Sequence, residues 1–185
     1  MGERREPKAG VAAESTGGLD PITGLGRGAA ALVIGRSAAE RESVARAVHR
    51  AYRDADGPFL KVPSAQEESL LKQALESWLD GTSPGGSPRL LDRLEHGSLF
   101  LDEIEALGLE TQRLLLEFLN RNDEDTEAED AGASPTRQPW KGQLITGSES
   151  SLRAAVKEGR FDSNLALRLE RVRIVLDPEQ AGPDR

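Results

Sequence analysis

The sequence predicts an α/β fold, a mainly parallel sheet of five strands covered by helices, and three observations predict it. Short apolar runs alternate five times with segments of helical period. The first run, "AALVIG", is continuously apolar and ends in glycine, which suits a strand buried on both faces. Two polar stretches, "GRSAAERE" and "LDE", directly follow strands, at the carboxyl ends where such sheets bind ligands.

Residues 1–28 are rich in glycine, charge and small side chains without a sustained period, and they read as an arm with no fixed structure. The folded body is expected over 29–178. After "AALVIG", Val44, Ala45, Val48, Ala51 and Tyr52 make one apolar helical stripe, stopped by "DADG" at Gly57. "PFLKV" is a second strand. Leu70, Leu71, Ala74, Leu75, Trp78 and Leu79 mark a second helix, closed by the turn-rich "DGTSPGGSP". A brief helical piece around Leu90, Leu91 and Leu94 leads into the strand "GSLFLDE", and Leu114, Leu115, Phe118 and Leu119 mark the helix after it. Residues 122–138, polar and acidic, are expected to be a disordered surface insertion. "QLIT" resumes a strand, "SSLRAAVKEG" a helix, and "RVRIVL" a final strand whose alternating charge suggests an edge. Residues 179–185 form a tail.

Composition removes several classes of function. The chain has no cysteine, so disulfides and thiolate zinc sites are excluded, and His49 and His96 do not have metal-ligand spacing. No apolar run approaches the roughly 20 residues that cross a bilayer, and the N-terminus lacks the apolar core of a signal peptide, so a cytoplasmic address without membrane contact is expected. The net charge of -8 includes six acids in one run, Asp123 to Asp130; without them the remainder carries about -2. Direct DNA binding is not expected, because neither a basic patch nor a reading helix is present.

"IGRSAAERESVARAVHRAY", "GPFLKV", "EHGSLFLDEIEALGLETQRLLLEFLNR", "LITGSESSLRAAVKEGRF" and "LALRLERVRIVL" resemble, in order and spacing, the AAA+ ATPase domain of bacterial sigma-54-dependent transcription activators. The resemblance implies a P-loop NTPase-type three-layer αβα core. Intact members assemble into rings, hydrolyse ATP between subunits and use a GAFTGA loop to remodel the polymerase carrying sigma-54. This chain is expected to lack the helical lid subdomain, since little sequence follows "RIVLDPEQ". It also lacks GAFTGA: only "LDGTSPGGSPR" stands between Trp78 and Leu90, so direct remodelling of sigma-54 is not expected.

The family's phosphate loop reads G-E-S-G-T-G-K-E, with glycines that let backbone N–H groups wrap phosphates and a lysine that reaches the terminal ones. Here the stretch is Gly35-Arg36-Ser37-Ala38-Ala39-Glu40-Arg41-Glu42. Gly35, Ser37 and Glu42 match, whereas both inner glycines are replaced, by Ala38 and Glu40, and the lysine is Arg41. Arginine keeps the charge but not the point geometry. Ser37 and Glu40 also have the spacing of a capping box, which would satisfy from within the amides that otherwise face phosphate.

Asp102 and Glu103 match the family's Walker B acids, which hold Mg²⁺ through water and orient the attacking water, so the resemblance makes Asp102 a metal position wherever Mg-nucleotide binds. The sensor position, usually a Thr-Asn pair, is Ser148-Glu149. Of the two arginines that reach a neighbouring subunit's site, the first is Asp162 here and the second matches Arg168. These departures predict a non-catalytic relative without a cofactor, acting through protein partners that include related AAA+ activators. The alternative is an ATP-binding regulator that still takes Mg-nucleotide through the altered loop.

Overall fold

The computed structural model describes residues 12–15, 30–51, 57–82, 89–134 and 138–176. The chain runs β1 (Ala12–Ser15), β2 (Ala30–Ile34), α1 (Ala38–Ala51), β3 (Phe59–Pro63), α2 (Ser64–Asp80), α3 (Leu90–Arg93), β4 (Ser98–Asp102), α4 (Leu109–Asp130), β5 (Gln143–Ser148), α5 (Arg153–Lys157), α6 (Ser163–Leu169) and β6 (Val172–Val175). One sheet holds the strands in the order β1-β6-β2-β5-β4-β3. The five expected strands are all mutually parallel, and β1 alone runs antiparallel.

Burial on both faces explains the near-continuous apolar strands: every residue of β2, β4 and β5 is buried. On one face Val33, Phe100, Ile145 and Ile174 meet Ala45 and Val48 of α1. On the other, Leu32, Leu99 and Leu144 join the larger core made with α2, α4 and α6. Three layers result. Strand β2 is flanked by β5 on one side and β6 on the other, so its carboxyl end is the switch point where sheets of this kind carry their ligand crevice.

The structure corrects the sequence reading in four places. Ala12–Ser15, expected in an unstructured arm, is a strand paired with β6; the rest of residues 1–28 lies outside the described residues, as does the tail 179–185. In consequence β6 is not an edge strand, being flanked by β1 and β2. Leu70 and Ala51, placed in apolar stripes, are exposed, and Tyr52 lies outside the described residues.

The fourth correction concerns the acidic run. Helix α4 continues through it to Asp130, so residues 122–130 are helical and not disordered. Packing overrides composition here, because Asn122 and Asp125 face inward. Asn122 Oδ1 accepts the Trp140 backbone N–H at 2.6 Å, and its Nδ2 donates to the Trp140 carbonyl at 3.2 Å. The Trp140 indole N–H donates to the Leu91 carbonyl at 3.0 Å, and Phe118 sits between Trp78 and Trp140, with ring centroids 4.8 and 5.6 Å away. The 22 residues of α4 span about 33 Å, against about 17–20 Å for the strands, so the helix's acidic end overhangs the sheet at the pole opposite the crevice. Residues 135–137 of the expected insertion lie outside the described residues.

Candidate functional site

The loop 35–37 joins β2 to α1 at the crevice. Gly35 donates its N–H to the Ser148 carbonyl at 3.0 Å, and Leu176 donates to the Ile34 carbonyl at 2.9 Å, tying the loop to the ends of β5 and β6. Gly35 lies close against Leu176, whose Cδ1 a Cβ at this position would approach to 2.9 Å. The serine half of the expected capping box forms, Glu40 N–H donating to Ser37 Oγ at 3.3 Å. Ala38, Ala39 and Glu40 are exposed.

Arg41 is in the first turn of α1, where side chains lean toward the helix N-terminus, so its side chain runs back beneath the loop. It is among the largest fully buried side chains, 1% exposed. Its Nε donates to Asp102 Oδ1 at 2.6 Å, and its Nη1 donates to the Gly35 carbonyl at 2.6 Å and, more weakly, to the Arg36 carbonyl at 3.4 Å. The loop therefore presents carbonyl oxygens to a cation. A phosphate cradle is built from backbone N–H groups turned toward an anion, whereas the contacts of Arg41 are with carbonyl oxygens.

Asp102 is the centre of the site, with its carboxylate buried at the end of β4. Besides Arg41, Oδ1 accepts the Glu103 N–H at 3.1 Å, while Oδ2 lies 3.6 Å from Lys61 Nζ. Lys61 belongs to β3 and shares the α1 face of the sheet with Phe100 and Asp102. Its ammonium also donates to Glu42 Oε2 at 2.9 Å, and Arg46 pairs with Glu42 Oε1 at 2.7 Å. The hydrogen bond from Lys61, and after it the one from Arg46, hold the Glu42 carboxyl below its ordinary value of 4.5. A depressed carboxyl stabilises the fold above that ordinary value and loses its contribution as pH falls through the lower folded value.

A divalent cation at this position needs free carboxylate oxygens, and both oxygens of Asp102 face cationic side chains. As arranged, the residues present do not fit a Mg²⁺ ion. Among the described residues no group of three or more His, Asp or Glu side chains could hold a metal.

Glu103, the second acid of the pair, has φ of 57° and is the one non-glycine residue with positive φ among the described residues. The left-handed region costs about 1–2 kcal/mol for such a residue. Glycine's greater freedom in the unfolded chain returns about 0.4–1 kcal/mol of that. Glu103→Gly is therefore expected to stabilise the protein by about 0.5–1 kcal/mol in urea unfolding, and a loss of stability would mean that the Glu103 side chain contributes more than its backbone costs.

The remaining expected positions are engaged within the fold. Ser148 is buried and donates its hydroxyl to the Ser150 carbonyl at 2.7 Å. Glu149 is exposed, with its N–H given to Glu105 Oε1 at 2.9 Å. Asp162 caps α6, accepting from the N–H groups of Asn164 and Leu165 at 2.9 and 3.0 Å. Arg168 is turned onto α4, where it donates to the Leu119 carbonyl at 3.2 Å and pairs with Asp123. His49 is buried against Ser98 Oγ at 2.9 Å with its ring edge on Phe59, whereas His96 is exposed.

Three contributors escaped the sequence reading. Lys61 carried a legible signal, as a lysine inside an apolar strand on the face shared with Asp102. Gly147 of β5 is needed because a Cβ there would lie 2.5 Å from Asp102 Oδ1. Gln112 is wholly buried and joins three segments: its Nε2 donates to the Leu107 and Arg160 carbonyls at 2.6 and 3.0 Å, and its Oε1 accepts the Asp162 N–H at 2.7 Å.

A parallel sheet in this order, with a loop and helix after β2 and an acidic pair after β4, defines an α/β domain of the P-loop NTPase type, of the AAA+ class. The chain belongs to the sigma-54 interaction domain family, whose profile matches residues 24–175. It is 35% identical over 154 residues to the regulatory protein AtoC of Escherichia coli (strain K12), covering 81% of this chain and 32% of that protein. It is 32% identical over 158 residues to the C4-dicarboxylate transport transcriptional regulatory protein DctD of Pseudomonas aeruginosa, covering 83% and 33%. The chain thus spans about a third of the length of these curated relatives.

Among solved structures it superposes on NtrX from Brucella abortus in complex with ATP with a TM-score of 0.60, at 23% identity, over 85% of this chain and 34% of that one. The P-loop NTPase domain of an E. coli sigma-54 transport activator gives a TM-score of 0.50 at 18% identity, over 80% and 82%. These likenesses carry the fold.

Proposed function

We propose that the domain is a non-catalytic member of its family, acting in bacterial transcriptional regulation through protein partners, intact AAA+ activators among them, and not through ATP turnover. One observation carries the reading: the guanidinium of Arg41 lies beneath the loop, bonded to the acid expected to serve Mg²⁺ and to the loop's own carbonyls. For Arg41 to reach a phosphate, its guanidinium would have to leave a buried ion pair. Glu40 adds an exposed anion in the first turn of α1, beside the same loop. The absence of GAFTGA from the sequence argues that contact with partners does not include direct remodelling of sigma-54. A cytoplasmic setting accords with this role, and among the described residues no helix is long and apolar enough to cross a membrane.

Calorimetric titration with ATP and ADP, with and without Mg²⁺, tests the proposal. The natural protein is expected to give no binding heat up to millimolar nucleotide. A variant carrying Ala38→Gly, Glu40→Gly and Arg41→Lys is expected to bind in the micromolar range, because it regains the loop's freedom and a lysine of phosphate-reaching geometry. Micromolar binding by the natural protein would replace this reading with the ATP-binding regulator.

A further inference from the structure

We propose that the outer edge of β6 is a docking site for an extended segment of another protein, and that β1 occupies it in cis as a displaceable guard. The two edges of the parallel sheet are managed differently. The β3 edge carries Lys61 and ends in Pro63, devices that discourage strand addition. Strand β6 reads Val-Arg-Ile-Val, β-branched at three of four positions, and such an edge favours strand addition. What covers it is Ala-Ala-Glu-Ser, four residues without a β-branched side chain, of which the alanines and the glutamate are of types depleted in strands. A strong acceptor edge is thus paired with a weak donor strand.

The register specifies the chemistry of the segment that would replace it. Ala12 stands opposite Val175, Ala13 opposite Ile174, Glu14 opposite Arg173 and Ser15 opposite Val172, in antiparallel order. Val175 and Ile174 belong to the cores on opposite faces of the sheet. The fitting partner is an antiparallel strand with β-branched residues at the positions of Ala12 and Ala13 and an acidic residue opposite Arg173. Backbone hydrogen bonds supply its affinity and these side chains its selectivity.

The number of residues between β1 and β2 is enough for the guard to leave its place. Ser15 lies two strand spacings from β2, about 10 Å, yet residues 16–29 can reach about 45 Å when extended. A guard joined to the fold through the same chain competes as an intramolecular ligand. An incoming strand must therefore pair better than β1, and disabling β1 must raise its apparent affinity.

The probe is a fluorescein-labelled decapeptide with Val-Val-Glu-Thr in place of Ala-Ala-Glu-Ser, followed by fluorescence anisotropy on the whole chain. An Ala13→Pro/Glu14→Pro variant disables β1, since one of two successive strand residues must give its N–H to the ladder. It is expected to bind the peptide at least tenfold more tightly than the natural protein, with an unchanged circular dichroism spectrum. A Ser15→Cys/Val172→Cys variant, which keeps Arg173, can form only one disulfide within the chain, because the chain has no other cysteine. Oxidation is expected to abolish binding and reduction to restore it. Equal affinity of the natural and proline variants, no binding to the proline variant, or indifference to oxidation would each overturn the proposal. Equal affinity for a peptide with lysine in place of its glutamate would overturn the assignment of its acidic position.

Discussion

Asp102→Ala is expected to remove about 3–5 kcal/mol of stability, because it leaves the Arg41 guanidinium buried without its counter-charge. For a chain of this length each kcal/mol shifts Tm by roughly 2–4 °C, so a loss of about 10 °C should be seen by calorimetry. Arg41→Ala should cost less, about 2 kcal/mol. It leaves Asp102 with Lys61 Nζ at 3.6 Å and the Glu103 N–H at 3.1 Å, and the stranded carbonyls belong to a loop beside exposed residues that water reaches. Replacing both partners by apolar side chains, Arg41→Met with Asp102→Leu, should be milder than Asp102→Ala alone, since no buried charge then remains. Urea unfolding of the three variants checks this order. Should Asp102→Ala cost less than 1 kcal/mol, the pair does not hold the loop.

Gly147→Ala is the second large effect. The new methyl would lie 2.5 Å from Asp102 Oδ1 and 3.2 Å from the Phe100 ring, with both neighbours held in the core. Overpacking of this kind costs about 1–3 kcal/mol. Much of the strain falls on the carboxylate, so in an Asp102→Ala background the same substitution should cost at least 1 kcal/mol less. A double-mutant cycle measures the difference. Additive costs would mean that the methyl acts on Phe100 and leaves the position of Asp102 unaffected.

The fold was legible because five strands buried on both faces must read as apolar runs, and helices covering them must read with a period of 3.6. The acidic pair after β4 and the altered loop were legible for the same reason, since strand ends fix where polar residues can meet. What Arg41 does was not legible. Its charge is visible in the sequence, but the direction of its side chain depends on a helix start, and its partner lies 61 positions away. Composition misled at the acidic run, where two inward residues, Asn122 and Asp125, keep a highly charged stretch helical. Strand β1 carried no pattern at all, for its pairing is dictated by the strand it covers and not by Ala-Ala-Glu-Ser.

The inward carbonyls of Gly35 and Arg36 bear on how such a domain can change over generations. On the proposed reading, regaining a phosphate loop takes glycines at 38 and 40 and a lysine at 41, and the intermediate that has lost only Arg41 from its buried pair falls by about 2 kcal/mol. Natural proteins sit close above the stability they need, so lineages passing through that intermediate are purged. If the domain is non-catalytic as proposed, the arginine settled between loop and acid sets a fitness valley on the route to a nucleotide site. The replacement behaves as a ratchet, and selection is left free to act on the surface.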